Sequence, residues 1–181
     1  AIRGRMALQD VPYAELRKQL LADGQVLDLP PQTPKKPVIT KASLRGIVLD
    51  DVDARLEGVW SPSSSTAKFI GVGYVHDANE DKAGKTAAWT LTAAADGPHL
   101  VNLSYSPNPN RATNVPVEVR AGGKVFRSTV NQQQTPPIDG LFITVATLEL
   151  KAGDQVEVRV QCAGTDGHVI VDGVQLLAET R

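Results

Sequence analysis

Beyond residue 46, apolar residues recur at every second position over most of the chain. Val101, Leu103 and Tyr105 alternate with Asn102 and Ser104, and Val117 and Val119 alternate with Glu118 and Arg120. Val156, Val158, Val160 and Cys162 likewise alternate with Glu157, Arg159 and Gln161. A period of two belongs to a strand with one buried face. It predicts strands at 46–50, 69–74, 86–91, 100–105, 115–120, 124–130, 141–150, 154–162 and 168–177. Turn dipeptides separate several of them: Asp96-Gly97, Gly122-Gly123, Gly153-Asp154 and Asp166-Gly167. Short strands with no helix of useful length between them predict an all-β fold, a two-sheet antiparallel β-sandwich of jelly-roll type rather than βαβ units.

The first part of the chain reads differently. Between Asp10 and Gly24 the residues Tyr13, Leu16 and Leu20, with Ala14 and Leu21, form an apolar stripe opposite Glu15, Lys18 and Gln19. Asp10 is placed to cap this helix, Pro12 suits its first turn, and Gly24 suits a left-handed stop. The segment LPPQTPKKPVITK after Asp28 lacks the donors and the periodicity of either regular element and reads as an extended linker. The expected domains are therefore a helical remnant over 1–28, a Pro/Lys-rich linker over 29–45 and a β-sandwich over 46–181.

With 19 basic and 20 acidic residues the formal charge is -1, which disfavours nucleic acid and anionic membranes as partners. No apolar run approaches the roughly 20 residues of a membrane helix. At 41% hydrophobic and only 4% aromatic, the core is expected to be aliphatic. Cys162 is the single cysteine and sits on the apolar phase of its strand, so it reads as a buried thiol. The chain opens AIRGRMALQD, without the apolar core of a signal peptide, and reads as an internal fragment.

The loop between the strands at 100–105 and 115–120 holds the chemistry that stands out. Pro107, Pro109 and Pro116 remove backbone donors and keep the loop out of the sheet, so its side chains are expected to be displayed. Arg111, among Asn108, Asn110 and Asn114, can pin backbone carbonyls within the protein or fork onto a sugar hydroxyl pair or a uronate. Trp89 lies on the apolar phase of its strand and reads as core. Trp60, beside a turn, offers a ring face for stacking a sugar. His76 and Asp77 are neighbours on a strand and point to opposite faces, and His99 and His168 have no ligand spacing, so neither acid/base catalysis nor a zinc site is expected. Ser63, Ser64 and Ser65 read as loop residues, because no strand-to-helix elbow or base accompanies them. Asp50, Asp51, Asp53 and Glu57 read as solvated or structural rather than as a hydrolytic pair.

The order of short motifs resembles the golvesin-like, xanthan lyase carbohydrate-binding-like domain. LDD at Leu49–Asp51, Trp60-Ser61, GVGY at Gly71–Tyr74 and AAWT at Ala87–Thr90 are followed by SYSP at Ser104–Pro107 and NRATNVPV at Asn110–Val117. AGG at Ala121–Gly123, VNQQ at Val130–Gln133 and VIVDGV at Val169–Val174 complete the series, which covers about 46 to 178. His99 replaces a tyrosine of that pattern and Phe142 a tryptophan. The resemblance implies a non-catalytic, exported accessory module, extracellular or periplasmic, that binds polysaccharide. Trp60, Tyr105, Asn110, Arg111 and Asn114 are its candidate ligand-binding residues. No cofactor is expected; a structural calcium ion, held by Asp50 or Asp51 with Asp172, is the open alternative to Asp172 bonding backbone amides. Residues 11–27 resemble the C-terminal tail of bacterial FAD-dependent oxidoreductases, which implies such an enzyme as the parent polypeptide while this chain itself binds no flavin. The alternative function is a structural module that docks onto its parent enzyme or drives oligomerisation.

Overall fold

The computed structural model describes residues 12–25 and 38–179, and the chain divides into two units, 1–37 and 38–181. In the first unit, helix α1 spans Tyr13–Ala22. Pro12 is its N-cap and its carbonyl accepts from the amides of Glu15 and Leu16. Gly24 adopts φ +75°, the left-handed stop expected of it. The expected cap at Asp10 and most of the expected linker lie outside the described residues.

The second unit is built from twelve described strands. A four-stranded sheet runs in the order β1 (Ile47–Asp50), β12 (Gly173–Ala178), β6 (Gly97–Ser104), β9 (Phe142–Leu150). A five-stranded sheet runs β2 (Arg55–Glu57), β5 (Thr86–Thr92), β10 (Gln155–Gln161), β7 (Val115–Ala121), β8 (Lys124–Val130). A short sheet joins β11 (Ile170–Val171), β4 (Tyr74–His76) and β3 (Ser61–Ser63). Every strand pairing is antiparallel. The predicted all-β architecture is present, with only single 3₁₀ turns among the described residues after residue 46.

The apolar phase of each long strand faces one core. Val101 and Leu103, Val117 and Val119, Val156, Val158 and Val160, and Val174 and Leu176 are all essentially buried there, with Trp89 and Cys162. Burial pushes the Cys162 thiol up to about 12, which makes it inert.

The structure departs from the sequence pattern in four places. Asn102 and Ser104 are as buried as the apolar residues between them, because the second face of the four-stranded sheet is covered as well. A smaller cluster of Val48, Ile70, Leu141 and Phe142, with Ile39, Leu44 and Ile138, lies on that side. There the side chains of Thr144, Asn102 and Gln175 form a hydrogen-bonded row that ends on the Arg45 carbonyl, so the buried polar groups are satisfied. The same cluster absorbs the end of the expected linker: Ile39 bridges Ile70 and its carbonyl accepts from Gly71, so residues 38–45 belong to the β unit. The predicted strand at 69–74 is also shifted, to Tyr74–His76, and the one at 168–177 is broken at Asp172.

Candidate functional site

Asp172 occupies the break where the chain leaves the short sheet through β11 and enters the four-stranded sheet as β12. Both carboxyl oxygens accept from the Ile70 amide, at 3.0 and 3.2 Å, and Oδ2 also accepts from Ser104 Oγ at 2.5 Å. Gly173 follows because a Cβ there would run into the Leu49 carbonyl. Burial is the chief reason that the Asp172 carboxyl titrates near 8, reinforced by the charges of Asp50 and Asp51. Burial and the neighbouring Asp50 lift Asp51 to about 6 in the same way. Asp50 uses Oδ1 on the Asp51 amide, and its carbonyl accepts from Trp89 Nε1 at 2.8 Å. Among the described residues no three His, Cys, Asp or Glu side chains converge on one ion. Asp172 bonds the backbone amide of Ile70, as one of the two roles expected of it requires.

The Pro/Asn-rich loop is sewn into the protein rather than displayed. Arg111 is 7% exposed, and its guanidinium donates to Ser106 O, Asn110 Oδ1, Thr66 Oγ1 and Tyr74 Oη. It also lies 5.8 Å from the centre of the Tyr74 ring. Tyr105 is 1% exposed, its hydroxyl donating to the carbonyls of Gln134 and Asn131. Asn114 joins the loop to residues 164–166, accepting from the Asp166 amide and donating to the Gly164 carbonyl. Asp166 returns bonds from Thr113. Asn110 is the one exposed residue of the five candidate ligand-binding residues, while Trp60 is half-buried against the core with Nε1 donating to the Glu57 carbonyl. The expectation that the loop side chains are displayed holds for Pro109, Asn110 and Thr113 and fails for Arg111, whose guanidinium is spent on neighbouring oxygens.

The backbone of the loop continues the short sheet. Arg111 forms a parallel bridge with His168, and the Ala112 amide donates to the His168 carbonyl. Gly167 must lack a side chain because a Cβ would lie 2.7 Å from the Arg111 carbonyl group. On the other side Gln132, fully buried, donates to Ile170 O at 2.7 Å and accepts from Ile170 N at 2.8 Å, as a paired strand would. Replacing Gln132 by Leu orphans both Ile170 groups, and the chemical-denaturation midpoint should fall by the equivalent of about 2–3 kcal/mol.

Folding also places His76 beside His168, with ring centres 5.8 Å apart at 76°. His76 stands opposite Ile170 in the β4–β11 register, two residues from His168. Behind them, Asp77 accepts from the amides of Val169 and Asn79 and pairs with Lys82 at 2.8 Å. The Lys82 ammonium also reaches Thr165 and the Gly167 carbonyl. Burial opposes ionisation of Asp77, yet these hydrogen bonds hold its carboxyl below the ordinary range. Tyr74 is brought down to about 8, because bonds from Ser63, Ser65 and Thr66 outweigh its burial.

Residues 47–178 match the Golvesin C-terminal domain family over their whole length. The chain belongs to that family. Over 141 residues the golvesin-type unit is 28% identical to xanthan lyase of Bacillus sp. (strain GL1), a match covering 75% of this chain and 15% of that enzyme. The chain thus spans well under a fifth of its curated relative. Paenibacillus xanthan lyase has the same fold over 74% of this chain and 13% of its own, with a TM-score of 0.67 and 27% identity. A CBM35 module of Paenibacillus barcinonensis is matched over its full length and 74% of this chain, with a TM-score of 0.53 and 16% identity.

Within the golvesin-type unit, the structure gathers Asn110, Arg111 and Asn114 in one loop and puts Asp50, Asp51 and Asp172 at one sheet junction, while the Trp60 and Tyr105 side chains bond Glu57 and the carbonyls of Asn131 and Gln134 instead. Sequence reasoning did not foresee that Tyr74 meets Arg111, that His76 meets His168 or that Gln132 pairs with Ile170. The VNQQ motif was a signal for Gln132, but nothing in spacing announces the histidines, which only the β4–β11 pairing brings together. Two surface depressions lie elsewhere: one is lined by Asp53, Arg55, Thr90 and Glu157, the other by Lys124, Phe126, Glu149 and Asp154.

Proposed function

We propose that the β unit is a non-catalytic, polysaccharide-binding accessory module of a larger exported enzyme. One observation carries this reading. The unit shares its fold with the full length of a solved CBM35 chain, but with only 13% of the xanthan lyase chain, so the common part has the extent of a module and not of the enzyme. The expectation of an FAD-dependent oxidoreductase as the parent rests on the resemblance of residues 11–27, which lie outside the family match. No helix among the described residues is long and apolar enough to cross a membrane.

Native gel electrophoresis through xanthan, and in parallel through neutral glucans and mannans, tests the proposal. Retarded migration relative to a non-binding control protein is the expected result. Unretarded migration in every polysaccharide rejects the reading.

One feature favours docking as a second role. Helix α1 buries none of its residues, and Tyr13 and Leu21 are 74% and 44% exposed. If the helix is a contact surface, light scattering will give a larger particle for the whole chain than for residues 38–181, beyond the mass of the missing segment.

A further inference from the structure

A trough runs along β5 on the outward face of the five-stranded sheet. Its floor is made of short side chains, Thr86, Ala88, Thr90 and Thr92, which alternate with the core residues Ala87, Trp89 and Leu91. The register puts a long polar side chain beside each of them. On the β10 side Gln161, Arg159, Glu157 and Gln155 stand opposite Thr86, Ala88, Thr90 and Thr92. On the β2 side Glu57 stands opposite Thr86 and Arg55 opposite Ala88. Leu49, Asp53, Arg55, Ala88, Thr90 and Glu157 line one depression of about 570 Å³, the size of a small-ligand site. At about 3.3 Å per residue the floor from Thr86 to Thr92 is roughly 20 Å long, so the trough suits a chain rather than a single small molecule.

Its chemistry narrows the occupant. Arg55 and Arg159 are balanced by Glu57 and Glu157, and Asp53 is committed to Lys41 at 2.6 Å and to the Asp50 amide. The trough therefore carries no field that selects a charged ligand. Hydrogen-bonding capacity is left over. Glu157 gives Oε1 to Arg159 at 2.9 Å and Glu57 gives Oε2 to Thr86 at 3.0 Å, and each carboxylate has a second oxygen. Arg55 lies 3.8 Å from Glu57, too far for a hydrogen bond, and Thr90 is exposed. A peptide is a poor match: β5 is paired on both sides, by β2 and β10, so the floor offers no free strand edge, and Leu49 and Ala88 are the only apolar residues lining the depression. Guanidinium and carboxylate groups on both walls match vicinal hydroxyls, which donate and accept at once.

We propose that this trough is the binding groove for an extended, uncharged polysaccharide; the proposal rests on the polysaccharide-binding reading above. Arg55 donates to sugar hydroxyls, Glu57 and Glu157 accept from them, and the short side chains of the floor let the sugar chain approach the sheet.

Affinity electrophoresis of the whole chain through hydroxyethylcellulose, glucomannan and polygalacturonate tests this. One of the two neutral chains should be bound with a dissociation constant about tenfold below that for polygalacturonate. Arg55→Ala removes an exposed wall residue, and Thr90→Leu fills an exposed position of the floor. Both should melt within about 3 °C of the wild type, while their dissociation constants for the neutral chain rise about tenfold. Lys124→Ala, in the other depression, should bind as the wild type does.

Full affinity in either Arg55→Ala or Thr90→Leu, an equal loss in Lys124→Ala, or tighter binding of polygalacturonate than of either neutral chain overturns the groove and leaves the module reading intact. Unretarded migration of the wild type in all three, and in xanthan, removes both.

Discussion

Arg111→Ala should lower the melting temperature by about 10 °C, the loss of roughly 3–4 kcal/mol from a unit of this size. The side chain is the hub on which three segments meet: Ser106 and Asn110 of its own loop, Thr66 of the preceding loop, and Tyr74 of β4. Its removal leaves those oxygens short of a donor and opens a void over the Tyr74 ring. Arg111→Lys should recover little of the loss, since a point charge on a flexible stem cannot reach four acceptors spread around a planar fork. Calorimetry of the two variants checks this, and a shift below about 2 °C for Arg111→Ala would mean that the loop holds itself. Glycan-binding experiments on Arg111→Ala therefore report folding as much as recognition.

Asp172→Asn should stabilise the protein at alkaline pH and change little at acid pH. The folded carboxyl titrates near 8, mainly through burial, against an ordinary value of 3.8. Between those values the native state keeps a proton that the unfolded chain releases, so the stability associated with this group is greatest at the acid end and is lost as pH rises toward 8. Asn mimics the protonated acid: its carbonyl oxygen accepts from the Ile70 amide and its NH₂ faces Ser104. The variant and the wild type should melt alike near about pH 4.5, and near about pH 8.5 the variant should gain on the order of 4 kcal/mol, seen as a melting temperature about 10 °C higher. EDTA should leave the wild type unmoved. A melting temperature lowered by EDTA and restored by Ca²⁺ would make Asp172 a charged ligand, and the substitution would then destabilise.

The two sites differ in how far the residues alone announce them. Arg111 stands out in sequence because one cation amid proline and asparagine has few bland roles, yet its burial does not, since period-two reasoning says nothing about loops. His76 and His168 are the opposite case: each looks ordinary, and only the antiparallel β4–β11 register places the rings in contact. Gln132 lies between these extremes. Its motif is visible, but its use as a substitute strand partner for Ile170 depends on where β8 ends relative to β11.

The alternation of Val, Leu and Trp with polar residues was enough to determine an all-β unit, the extents of its long strands to within a few residues, the inward face of β5, β7 and β10, and the inert burial of Cys162. Those are consequences of local geometry, because a pleated chain sends successive side chains to opposite sides whatever it packs against. Which faces are covered twice is another matter. That Asn102 and Ser104 are buried, that residues 38–45 join the β unit, that Asp172 keeps its proton, and that the Arg111 guanidinium is buried against Tyr74 were decided by tertiary structure alone. Each depends on long-range pairing and on the dielectric it creates, and burial and field at one residue are set by segments far away along the chain.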